Sequence, residues 1–146
     1  MKNQRGLTSV EFAICGGVLM IVLFACIEIA RAAYTGAMLS EGTRRAARLA
    51  AVCPINDPAI TAAVNFAGLY GFSSANVSLQ YLDSNGVPLG ATPSTLNASY
   101  AQVSVTNYSL ALVIPFIMPT LTFPAYAVTI PTESLGISDT GATTAC

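Results

Sequence analysis

Residues 12–27 read FAICGGVLMIVLFACI and carry no charge. Extended back to Leu7, the stretch has 21 residues and a single charge, Glu11. A helix that crosses a bilayer needs about 20 mostly apolar residues, so this stretch predicts a membrane-spanning helix. Lys2 and Arg5 precede it, and positive residues stay on the cytoplasmic side. The expected orientation therefore places the N-terminus inside and the C-terminal part of the chain outside.

The composition of the 146-residue chain also points to lipid or to packed subunits. The chain is 53% hydrophobic and 9% charged, with a mean hydropathy of +0.62, whereas a soluble domain carries about 25% charged residues. All six Lys and Arg residues lie at or before Arg48, so residues 49–146 contain no cationic side chain. A protein that binds nucleic acid needs clustered basic residues to neutralise phosphates, which excludes that partner for the outer part.

Three interpretations of the N-terminal segment are open from its composition. It is an uncleaved signal anchor, a secretory signal peptide cut near residues 30–32, or a short leader cut after Gly6. The second is disfavoured because the apolar run is longer than a usual signal-peptide core and because Glu28 and Arg31 crowd the cut site.

Glu11 distinguishes the remaining two interpretations. A carboxylate in lipid costs several kcal/mol unless it is paired. If the chain is cut after Gly6, the new positive amino terminus at Leu7 lies one helical turn from Glu11. Glu11 of one subunit can also pair with the amino terminus of a neighbour, which favours docking in one register. Otherwise Glu11 lies at headgroup depth and is solvated there.

The residues around this acid resemble a known family. The stretch Arg5-Gly6-Leu7-Thr8-Ser9-Val10-Glu11-Phe12-Ala13 resembles the start of TadE-like proteins of the tight-adherence pilus. An ordinary type IV pilin has Phe or Met after the Gly and Leu-Ile-Glu-Leu around the acid, so residues 10–13 favour the TadE-like side. Residues 28–31 and 44–48 also resemble motifs that the family carries on the same helix. The resemblance covers roughly the first 50 residues.

The resemblance implies a minor pilin or pseudopilin that acts in pilus assembly, adhesion or surface attachment. A prepilin peptidase would cut between Gly6 and Leu7, and Glu11 and Phe12 would act in assembly. The implied partners are the peptidase, the major pilin, other minor pilins, the inner-membrane platform of the pilus machine and membrane lipid. The expected location is the bacterial inner membrane, with a periplasmic C-terminus, before any incorporation into a pilus.

The predicted fold class is α+β, with a leader at residues 1–6, one long helix over residues 7–52 and an exported domain over residues 53–146. Pro54 ends the long helix because the residue before a proline avoids the helical region. Asn56-Asp57-Pro58 starts a short helix that is expected to run to about Tyr70.

Alternating apolar residues then predict a small antiparallel sheet of three or four strands. The strands are expected from Val77 onward, from Val103 towards Val113 and over residues 125–130, with a turn at residues 83–86. Prolines make residues 114–123 an apolar loop or short helical turn. Residues 113–123 are either a surface for a partner or part of the core.

Cys53 and Cys146 fall in the predicted exported part, where the compartment is oxidising. They are expected to form a disulfide that fastens the polar tail to the base of the outer domain. The alternative is two free thiols.

The residue inventory argues against an enzyme. The chain has no His, and no Lys follows the apolar segment, so a Ser or Thr nucleophile lacks its commonest bases. No metal-binding, dinucleotide or phosphate-loop motif is present, and no metal site or cofactor is expected. The alternative to a pilus subunit is therefore another binding protein: a signal-anchored envelope protein whose outer domain binds a ligand or a surface.

Overall fold

The computed structural model describes residues 5–91, 93–113 and 120–146, with the backbone alone at residues 5–7. These residues form two helices, a short 3-10 turn and five strands in the order α1, α2, β1, β2, β3, β4 and β5. Their bounds are α1 Arg5–Val52, α2 Pro58–Val64, the 3-10 turn Ser74–Asn76, β1 Val77–Leu82, β2 Tyr100–Val105, β3 Ser109–Ala111, β4 Thr120–Thr122 and β5 Tyr126–Pro131.

The first helix, α1, has 48 residues and is therefore about 70 Å long. Its sequence favours a continuous helix because it contains no proline and is rich in Ala, Leu and other good helix formers. Arg45 Nε donates to Glu41 Oε1 at 3.0 Å, one helical turn away, as the i,i+4 spacing predicts. The helix ends before Pro54, as expected.

The hydrophobic core lies between the second half of α1 and one face of the sheet. Leu39, Ala46, Ala47 and Ala50 of α1 are fully buried at helical spacing. They pack in one cluster with Ile60 and Val64 of α2 and with Ala101, Val103 and Val105 of β2. Small residues on α1 allow this close approach, which is closest at Gly42, beside the backbone of Val64.

The second helix begins as the sequence predicts but ends earlier. Asp57 caps it, because its Oδ1 accepts a hydrogen bond of 2.8 Å from the Ala59 N–H. The prediction that it extends to about Tyr70 is wrong, since α2 ends at Val64. Asn65 Oδ1 accepts from the Leu69 N–H at 2.8 Å, and this side-chain bond offers the backbone an alternative to the helix.

The three-stranded sheet has the order β1-β2-β5, and both pairs are antiparallel. The predicted turn after β1 is present, with Gly86 at a positive φ of 80°. The N–H groups of Val87 and Asn85 donate to Asp83 Oδ1, each at 2.8 Å. These hydrogen bonds, that of Val87 first, lower the pKa of Asp83 below its ordinary value.

The second predicted strand is divided in the structure. It does not run on to Val113, because Asn107 adopts a positive φ of 56° and turns the chain after β2. Residues 109–111 then form β3, which pairs with β4 in a separate two-stranded sheet. The prediction of a loop or helical turn is therefore wrong at Thr120–Thr122, which are β4. The rest of that apolar segment, residues 114–119, lies outside the described residues, as does most of the expected partner surface.

The polar tail is held against the end of α1. The structure contains the predicted disulfide between Cys53 and Cys146, whose Cα atoms lie 5.7 Å apart. The Glu133 N–H donates to the Ala51 carbonyl at 2.9 Å, and the Gly136 N–H donates to the Val52 carbonyl at 2.6 Å. These bonds satisfy carbonyl groups that the end of a helix leaves unpaired. The tail therefore caps α1 and closes the bottom of the outer domain.

Candidate anchoring and assembly surface

The first half of α1 projects away from the rest of the chain. Between Thr8 and Ile27 none of the side chains is buried, and the first buried one is that of Glu28. The exposed apolar residues include Ile14, Leu19, Ile21 and Phe24, each more than half exposed. Such a continuous apolar surface is far larger than a soluble protein leaves in water. Within the described residues, α1 is the one helix long and apolar enough to cross a membrane, which makes it the candidate anchor.

Glu11 and Phe12 lie on this projecting half. Phe12 is 80% exposed, and Glu11 is also exposed. No cation of the described part of the chain forms an ion pair with Glu11. The role of Glu11 and Phe12 in assembly stays a prediction.

Gly6 and Leu7 lie within α1, where the structure describes the backbone alone. The cleavage site stays a prediction.

Glu28 marks the point where the outer domain meets α1. It is 7% exposed, and its Oε1 accepts two hydrogen bonds of 2.9 Å, from Arg31 Nη1 and from the backbone N–H of Val113. The sequence predicts the pair with Arg31 from its helical spacing. The sequence gives no signal for the bond between Glu28 and Val113, because the donor is a backbone N–H group 85 residues away. This bond ties the end of the β3 segment to the base of the projecting half.

A cationic patch lies further along α1 on its exposed side. Arg45 and Arg44 both pair with Glu41, at 3.0 and 4.0 Å. The hydrogen bond from Arg45 lowers the pKa of Glu41 below its ordinary value, although burial acts slightly in the opposite direction. The Arg45 guanidinium also lies 4.0 Å from the centre of the Phe66 ring. The patch is a solvated surface that can contact an acidic neighbour.

The site offers charge and apolar surface rather than reactive groups. Among residues 8–91, 93–113 and 120–146, no three His, Cys, Asp or Glu side chains lie close enough together to hold a metal ion. What the arrangement can do is bury an apolar helix in lipid or among other helices and hold a carboxylate within that surface.

Comparison with known proteins locates a family likeness on this helix. Residues 6–48 match the family model described as TadE-like protein. The match begins at Gly6 and covers Glu11, Phe12, the Glu28–Arg31 pair and the cationic patch, which is less than a third of the chain. It confirms the resemblance predicted from the sequence over that segment. TadE-like proteins are structural pilus components, so the match and the apolar helix fit a pilin-like protein of the tight-adherence system.

No curated protein matches the chain, and no solved structure matches it. The outer domain after Arg48 is therefore described by its own structure alone.

Proposed function

We propose that this chain is a minor pilin or pseudopilin of a tight-adherence pilus. In this proposal a prepilin peptidase cuts it after Gly6, residues 7–27 anchor it in the bacterial inner membrane, and residues 28–146 lie on the periplasmic side. The division of α1, nearly all of which matches the family model, carries the proposal: one half packs into the outer domain, while the other half is left uncovered. A helix of this kind can leave lipid and pack among other subunits without refolding.

Glu11 has a specific task in this proposal. An unpaired carboxylate within an apolar surface is costly, and pairing with a positive amino terminus removes most of that cost. Within one subunit, Leu7 and Glu11 are separated by one turn; between subunits, the same pair forms only when two helices align at one height. The exposed ring of Phe12 then lies beside the pair and excludes water from it.

The outer domain supplies the rest of the contacts. Its disulfide and capped helix end make the second half of α1 a rigid stalk. The cationic patch with Arg44 stands on the exposed side of this stalk, available to other subunits. The partners expected from the family resemblance are the major pilin, other minor pilins and the inner-membrane platform.

The first test is the intact mass and N-terminal sequence of the chain purified from membranes of a host with an active prepilin peptidase. We expect a chain that starts at Leu7. Gly6→Val should leave the start at Met1, because the peptidase requires the glycine. Gly16→Val places the same change where no neighbouring atom lies within 4 Å, and should leave cleavage unchanged. A wild-type chain that starts at Met1 would refute processing and favour the signal-anchored envelope protein.

The second test separates cleavage from assembly. Glu11→Gln should still yield a chain that starts at Leu7, but incorporation into sheared pili should fall about tenfold or more, since an ion pair in a low-dielectric site contributes several kcal/mol. Glu133→Gln is the matched control, because it removes an exposed carboxylate that lies outside the cationic patch and forms no ion pair within the described residues. Equal incorporation of the two variants would contradict the task assigned to Glu11.

A further inference from the structure

A cleft lies beside α1 directly above the apolar run, and we call it the juxtamembrane cleft. It has a volume of about 210 Å³. Three of its walls are α1, the loop after α2, and β3 with the residue before it. The lining residues that matter here are Arg31, Tyr34, Thr35, Leu69, Tyr70 and Tyr108.

The depth of the cleft follows from helix geometry. The uncharged run ends at Ile27, so Arg31 lies about 6 Å and Tyr34 about 10 Å further along the helix axis. The headgroup layer on one side of a bilayer is about 5–7 Å thick. If the apolar run fills the hydrocarbon core, Arg31 lies in the outer part of the headgroup layer and Tyr34 just beyond it.

The guanidinium of Arg31 has unused donors at this depth. Its Nη1 donates to Glu28 Oε1 at 2.9 Å, and the described residues supply no acceptor for its other N–H groups. The side chain of Arg31 is 41% exposed, whereas that of Glu28 is 9% exposed. The carboxylate therefore orients the guanidinium from the buried side and leaves its free edge towards the cleft. A guanidinium binds a phosphate through two parallel hydrogen bonds.

Two exposed tyrosines stand beside this cation. Tyr34 is 56% exposed and Tyr70 is 92% exposed, which a domain in water does not require. Tyrosine is favoured at the surface of a bilayer because its ring is apolar and its hydroxyl remains hydrated. Tyr108 Oη donates to the Tyr70 carbonyl at 2.8 Å and holds the loop against the residue before β3.

We propose that the juxtamembrane cleft binds the phosphate group of a phospholipid headgroup from the leaflet that faces the outer domain. Arg31 contacts the phosphate, and Tyr34 and Tyr70 border the headgroup on its water side. Membrane proteins usually have few positive residues next to a span on the exported side. A contact with a phosphate group accounts for an arginine at this position. The proposal rests on the anchoring part of the proposed function and is independent of cleavage and of pilus assembly.

The test counts the phosphatidylglycerol molecules that the full chain retains in mild detergent, by native mass spectrometry. Arg31→Gln should lower retention about fivefold relative to the wild type, the effect expected for one cation at a membrane surface. Arg44→Gln is the matched control, because this exposed arginine lies about 20 Å further from the membrane on the same helix. Tyr70→Ala should also lower retention, and a side chain that is 92% exposed can be removed without unfolding the domain.

Three outcomes would overturn the proposal or its basis. Equal retention in Arg31→Gln and Arg44→Gln, with both variants folded by near-ultraviolet circular dichroism, would show that the lipid is bound only around the helix. Loss of the lipid on adding millimolar inorganic phosphate would show a site for free phosphate instead. Release of the wild-type chain from membranes by alkaline carbonate would refute the anchor itself. This outcome is distinguishable from the first two, because those measure lipid binding and this one measures membrane anchoring.

Discussion

The close approach of α1 and α2 at Gly42 gives a sharp test of the fold. Gly42 of α1 faces the C-terminal end of α2, where a Cβ atom would overlap the carbonyl oxygen of Val64 and lie 3.0 Å from its carbon. The obstructing atoms belong to the backbone, so no rotation of a side chain can relieve the overlap. Gly42→Ala must therefore push α2 away from α1.

The size of the effect follows from two opposing contributions. Replacing Gly by Ala inside a helix stabilises it by about 1 kcal/mol. Overpacking a core costs about 1–3 kcal/mol, and a backbone obstruction belongs at the upper end of that range. The net loss is therefore about 2 kcal/mol, which lowers the melting temperature of a domain of this size by about 6–10 °C.

The assay is the thermal unfolding of the outer domain in the full chain, in detergent and with the disulfide intact, followed by circular dichroism. Gly16→Ala is the matched control, because no atom lies within 4 Å of its Cβ and the projecting half takes no part in the core. Gly36→Ala should have a small effect, since its Cβ would lie 3.1 Å from the movable hydroxyl of Tyr126. A Gly42→Ala protein that melts at or above the wild-type temperature would refute the close approach of the helices.

Three further predictions concern the disulfide, the buried tyrosines and Glu28. Cys146→Ser opens a cross-link that spans 93 residues, and the chain-entropy argument gives a loss of about 4–5 kcal/mol; equilibrium unfolding in urea measures it, and a loss below about 1 kcal/mol would contradict the argument. Burial raises the pKa of Tyr81 and of Tyr108, so the unfolded chain ionises first. Stability is therefore full below about pH 10 and declines as the pH rises through that value, and Tyr81→Phe should weaken the decline; an unfolding free energy that stays level to pH 11.5 would refute this. Glu28→Ala should destabilise the domain by about 1–3 kcal/mol and speed exchange of the Val113 amide, while Glu28→Gln retains an acceptor and should do less; equal protection of that amide in the wild type and in Glu28→Ala would show that the bond contributes nothing.

The lipid proposal and the pilus proposal assign different halves of α1 to different partners. Glu11 lies on the half of α1 that is exposed, and Arg31 lies where the domain begins. If a subunit leaves the membrane during assembly, the cleft loses its phospholipid while Glu11 gains its partner. The two variants Glu11→Gln and Arg31→Gln should therefore change different measurements: the first lowers incorporation into pili, and the second lowers the phospholipid that the chain retains.

The sequence by itself determined the features that depend on neighbouring residues. The apolar run over residues 12–27 predicted the anchor, and the absence of proline before Pro54 predicted the length of α1. Asp57 predicted the start of α2 because a cap acts over two or three residues. The sequence also predicted the resemblance to TadE-like proteins, because the motif around Glu11 is a short continuous stretch.

The sequence predicted the ends of helices and strands less reliably where a single side chain interrupts an otherwise regular apolar pattern. Asn65 ended α2 early through its bond to the Leu69 N–H, and Asn107 divided the second strand by adopting a positive φ. Both are ordinary polar residues in otherwise regular patterns, and the apolar periodicity around them gives no sign of either choice. The disulfide was predicted from the compartment, because only two cysteines lie in the exported part.

Only the tertiary structure decided which distant groups meet. It brought the backbone N–H of Val113 to Glu28, placed the loop with Tyr70 beside Arg31, and set Gly42 against Val64. None of these pairs has a signature in the sequence, because each joins residues on different elements. In two of the three contacts one partner is also a backbone group, the Val113 N–H or the Val64 carbonyl, which every residue type can supply. Periodicity reports which face of an element is buried; the packing of that face against others decides what it touches.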